Sequence, residues 1–151
     1  MKRPNDNDDN NDIVSSLLSI LNEINEEKSL NEEAMNIMIN FTKELLSYLI
    51  KEEDNISTNK LITNIKSFAN GKVLDILLKE IENTKTNTKF NHYVTSSVIA
   101  ESNVHKMLMN ALDYLCAEIL ELSSYMTSLD NKIYPTYIYC LLYTSPSPRD
   151  S

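Results

Sequence analysis

The chain has 151 residues, 42% of them hydrophobic and 24% charged, with a formal net charge of −8. That length allows one ordinary domain or two very small ones. The acidic balance excludes any general attraction for phosphate backbones, which needs Lys and Arg to displace counterions.

One glycine leaves little material for β-turns, so the expected fold class is all-α. Most of the charge lies early: residues 1–83 hold 9 Lys/Arg against 16 Asp/Glu, while residues 84–151 hold 5 against 6. Cys116 and Cys140 make neither a disulfide framework nor a metal set. No apolar run reaches the roughly 18 residues that a membrane helix needs, and the opening MKRPNDNDDNND is no signal peptide. The expectation is a soluble, intracellular, reduced protein that is not secreted and has no membrane partner.

Residues 1–12 are Asn and Asp with almost nothing apolar, which predicts a disordered acidic tail. In DIVSSLLSILNEI the residues Ile13, Leu17, Ile20, Leu21 and Ile24 share one face at 3.6 residues per turn, predicting a first helix. Ser29 and Glu32 have the spacing of a capping box opening a longer helix over 30–52. Its apolar positions (Ala34, Ile37, Met38, Phe41, Leu45, Tyr48 and Leu49 among them) cover more than half its circumference, as in a helix clasped from several sides.

Ser57 or Thr58 can cap the next short helix, which stops near Gly71, a candidate left-handed residue just past a helix end. KVLDILLKEIE predicts a fourth helix with Val73, Ile76, Leu77 and Ile81 on one face. A polar connector over 84–91 follows. FNHYVTSSVIA is weakly helical, and a long helix over 104–128 leads to the loop LDNKIYP. On that helix Leu108, Leu112, Leu115, Ile119, Leu122 and Met126 form the expected packed face. Asp113, Glu118 and Glu121 fall on the other side, where a solvated polar face is the plain reading.

The order short helix, long helix, short helix resembles the histone-fold layout, and the residues sharpen it. AMNIMINF (34–41) and NISTNKLITNIKSFANGKVLDILLKE (55–80) resemble the long helix, second loop and C-terminal helices of core histone type two-B. LDYLCAEILEL (112–122) followed by DNKIYP is similar to the long helix and second loop of core histone type two-A. Type two-B followed by type two-A on one chain resembles the fused histone doublets of giant DNA viruses. The resemblance implies two tandem histone folds, over 13–83 and 92–139, pairing head to tail within one chain.

It implies a structural chromatin protein that packages DNA with partner histones or a second doublet, located in a nucleus, viral factory or virion. By the same resemblance Asp113, Glu118, Glu121 and Glu80 match an acidic patch that receives basic peptides. Lys72 stands where a further acid is expected.

The chain departs from the family in its arginines. The DNA-contact candidates are Lys60, Lys66, Lys132, Asn59 and Thr136, of which Asn59 and Thr136 stand at positions where the family has Arg. DNA binding is therefore expected to be weak or partner-dependent. The first long helix is about two turns shorter than the family's, and the third helix of the second fold is missing. CLLYTSPSPRDS (140–151) resembles a translated sequencing adapter, with a Ser-Pro-rich disordered tail as the alternative. The other reading of the whole chain is an acidic histone-fold interaction module, a transcription-factor subunit or chaperone-like binder.

Nothing in the sequence points to catalysis. One glycine excludes a phosphate-cradling loop, and His92 and His105 lack neighbours at metal spacing. No catalytic residue, metal site or cofactor is expected.

Overall fold

The computed structural model describes residues 6–82, 89–126 and 131–135. Among these residues the protein is all-helical apart from one two-residue strand pair. The order is α1 (Asp6–Ile24), β1 (Ser29–Leu30), α2 (Glu32–Ile50), α3 (Thr58–Phe68), α4 (Gly71–Ile81), α5 (Asn91–Ser97), α6 (Ser102–Met126) and β2 (Lys132–Ile133).

Helix α6 is the hub and packs against every other helix. With 25 residues it is about 37 Å long at 1.5 Å per residue, enough to cross the whole assembly. Its fully buried Leu108, Leu112, Cys116 and Leu120 meet one core with Ile13 and Leu17 of α1, Met38 and Leu49 of α2, and Leu77 of α4. Where α2 and α6 pack together, the Thr42 hydroxyl lies 3.5 Å from the Cys116 sulfur and donates to the Met38 carbonyl.

The loops at the two ends of this crossing are tied reciprocally. β1, just before α2, runs parallel to β2, after α6, with Ser29 opposite Lys132 and Leu30 opposite Ile133. At the other end the Asn55 amide, after α2, donates to the Ile99 carbonyl, before α6, at 2.6 Å. Each long helix is thus flanked by loops bonded to the other's opposite end.

Several local expectations are corrected. The tail expected to be disordered over 1–12 is helical from Asp6, because α1 continues outward with its side chains engaged: Asp9 is buried and Asp12 pairs with His92. Ser29 does not cap α2. It joins the ladder to Lys132, and Asn31 caps instead, its side-chain oxygen accepting from the Glu33 and Ala34 amides at 2.8 and 3.3 Å. Gly71 is left-handed (φ 60) but opens α4, while α3 ends on an extended Ala69.

On α4 the buried line is Leu77 and Ile81 backed by Leu74 and Leu78, and Val73 and Ile76 are exposed. Tyr48 of α2 is also exposed, as are Leu122 and Met126 of α6. Phe90, inside the expected connector, is fully buried, so packing against the core resumes before residue 92.

Candidate functional site

One surface of interest is built on α6 and α4. Tyr114, Glu118, Glu121 and Tyr125 recur at spacings of four, three and four, which lines them along one stripe of α6. The Tyr125 hydroxyl donates to a Glu121 carboxylate oxygen at 3.2 Å. Its phenol titrates above its ordinary range because the Glu121 charge opposes phenolate, reinforced by that bond and by Glu118.

The Tyr114 phenol is raised too, first by partial burial and then by the charges of Glu118 and of Glu80 from α4. Glu80, Glu118 and Glu121 therefore converge around two tyrosines. All three are half-buried rather than fully exposed. Asp113 is placed differently: its charge acts on the Cys116 thiol, which burial chiefly pushes up to about 12. A thiol held neutral in this way is a core group and a poor nucleophile.

The other residues of interest are the DNA-contact candidates, which the fold does not gather on one surface. Asn59 and Lys60 stand exposed at the start of α3, where the Ser57 hydroxyl accepts the Lys60 amide at 3.1 Å. Lys66 is exposed in the last turn of α3. Lys132 is exposed on β2, at the opposite end of α2. The 19 residues of α2 separate the two ends by about 28 Å at 1.5 Å per residue. Thr136 lies outside the described residues, as do Cys140 and the adapter-like end over 140–151.

A separate acidic cluster lies where α5 meets α1. The His92 ring nitrogen sits 2.6 Å from an Asp12 carboxylate oxygen, joining α5 to α1. That bond, with the charges of Asp12, Asp8 and Asp9, raises the imidazole above its ordinary value despite slight desolvation. Nearby, Lys89 pairs with Glu23 at 2.9 Å, and the Ser16 hydroxyl donates to the Lys89 carbonyl.

Sequence reasoning passed over Tyr114, Tyr125 and Asp12, and weighed His92 only as a metal ligand. The tyrosines were within reach, being one turn from Glu118 and Glu121 on the same stripe. The Asp12–His92 contact spans 80 positions and had no local signal. Among the described residues no group of three or more His, Cys, Asp or Glu is placed to hold a metal ion, and no helix is long and apolar enough to cross a membrane.

No protein-family model matches the chain, and no curated protein matches it.

Proposed function

We propose that the chain is a fused pair of histone folds, type two-B-like over 13–83 and type two-A-like over 92–139, serving as a structural subunit of virus-type chromatin. The observation that carries this reading is the reciprocity of the loops. The segment before α2 is bonded to the segment after α6, and the segment after α2 to the segment before α6. A long amphipathic helix cannot bury its apolar face alone; two that cross head to tail cover each other, and this loop exchange is what such a crossing requires. Fusion makes the pairing intramolecular and raises the partner's effective concentration.

In this reading the doublet assembles with other histone-fold proteins into nucleosome-like particles. Lys60, Lys66 and Lys132 touch phosphate at separate ends, with Asn59 and Thr136 beside them. The face of Glu80, Glu118 and Glu121, with Asp113 round the helix, receives basic peptides.

A second reading, an acidic histone-fold interaction module with little DNA binding, is favoured by one observation. Asp8, Asp9 and Asp12 crowd the α1–α5 junction, where a phosphate backbone would be repelled.

The salt dependence of DNA affinity separates the two. Three lysine–phosphate contacts predict a log–log slope of about −3 on duplex DNA, and Lys60→Ala or Lys132→Ala each flattens it by about 1. Absence of binding at low salt decides for the interaction module.

A further inference from the structure

The outward face of α2 carries a pattern that neither the DNA reading nor the acidic face uses. Lys43, Glu44, Ser47, Tyr48, Lys51 and Glu52 line an open groove of about 700 Å³. Tyr48 is 63% exposed and leans on Phe68 of α3, itself 40% exposed, with ring centroids 6.5 Å apart and planes tilted by 55°. Two neighbouring large aromatic side chains left this open on a small protein mark a surface with unused apolar area. Among the described residues none of the four charged side chains has an ion-pair partner.

The charges are ordered. About a point midway between Ser47 and Tyr48, Lys43 mirrors Glu52 and Glu44 mirrors Lys51. A two-fold axis through that point sets each lysine of one protomer against a glutamate of its partner. An isologous contact needs this self-complementarity, because residue i meets j and j meets i. Lys51 and Glu52 leave the helix in left-handed conformations (φ 49 and 59), yet both still line the groove, so the end of α2 does not remove them from the face. The stripe is electrically neutral on a chain of net charge −8, which lowers the repulsion that a second copy meets there.

We propose that this face is a homodimer interface. A second copy docks antiparallel along α2, with Tyr48 of each protomer filling the groove of the other and four Lys–Glu pairs closing its rim. The proposal is independent of what the chain does with DNA.

Sedimentation equilibrium of the full chain at physiological salt tests it. The expected result is a mass that rises with concentration from 17.3 kDa towards twice that value. Lys51→Glu sets two carboxylates against each other twice per dimer and raises the dimer Kd by about tenfold or more. Glu44→Lys combined with Lys51→Glu restores opposite charges and returns the Kd to within about threefold of wild type. Tyr48→Ala weakens the dimer, and circular dichroism checks that each variant keeps its helices. A monomer at every concentration overturns the proposal, whatever else then occupies the groove. So does a folded Lys51→Glu variant that dimerises as tightly as wild type, or a double variant no better than the single one.

Discussion

Asn64 is 2% exposed, and its side-chain amide donates to the Leu49 carbonyl at 2.7 Å. Leu49 lies in the last turn of α2, whose final carbonyls have no partner within the helix. Two others are answered by the turning backbone: Ser47 by the Lys51 amide at 2.7 Å and Ile50 by the Glu53 amide at 3.0 Å. Leu49, itself fully buried, depends on Asn64.

Asn64→Ala removes a net hydrogen bond of about 1 kcal/mol and leaves a buried carbonyl unsatisfied at about 1–2 kcal/mol more, a loss of roughly 2–3 kcal/mol. With a urea m-value of about 2 kcal/mol/M, the midpoint falls by about 1 M at unchanged m. The assay is urea unfolding followed by circular dichroism. Thr63→Ala is the control, since its exposed hydroxyl bonds only to the Asn59 carbonyl one turn back; it moves the midpoint by less than about 0.25 M. If the two variants lose the same amount, the buried contact between α3 and the end of α2 is not there.

Two further outcomes follow from the packing and the charges. Leu112→Ala costs about 3–5 kcal/mol, whereas Leu122→Ala, at a position 43% exposed, costs under about 1 kcal/mol, read as the difference in urea midpoints; equal losses would restore the wider apolar face expected from periodicity. The folded-state value of His92 lies above 6.5, so its pairing with Asp12 is fully present below that pH and is lost as pH rises through the folded value. Thermal melts of wild type and His92→Gln should therefore converge as the buffer is moved from mildly acidic to alkaline, and a gap that widens with pH would refute the assignment.

The helical class was legible because period 3.6 recurs through the chain and turn residues are scarce. The buried face of α1 was legible for the same reason, since Ile13, Leu17, Ile20 and Leu21 are buried and Ile24 packs partly buried beside them. What was not legible depended on partners far along the chain. Asn and Asp composition argued for disorder over 6–12, and Asp12 is held by a histidine of α5. The local spacing of Ser29 and Glu32 argued for a cap, and a strand pairing 103 positions away took Ser29 instead.

For the charged surfaces, the alignment of Glu118 and Glu121 follows from their spacing, but the approach of Glu80 from α4 depends on how α4 lies along α6. Lys60 and Lys132 were named from the loop positions that the resemblance gave, and α2 holds them at opposite ends. Tyr48, Leu122 and Met126 show the limit of periodicity: it says which residues share a face, and not which face finds a neighbour.

The reciprocal loop pairing is tested most directly by a cross-link between Ser29 and Lys132, which face each other in the parallel ladder. Adjacent strands lie about 4.8 Å apart, within the Cα separation a disulfide accepts. In a Cys140→Ser background, Ser29→Cys with Lys132→Cys should oxidise to an intramolecular disulfide under native conditions, seen as a faster non-reducing band of monomer mass with helical content unchanged. A folded double variant whose thiols stay free, or join only between chains, would contradict the proposed head-to-tail pairing.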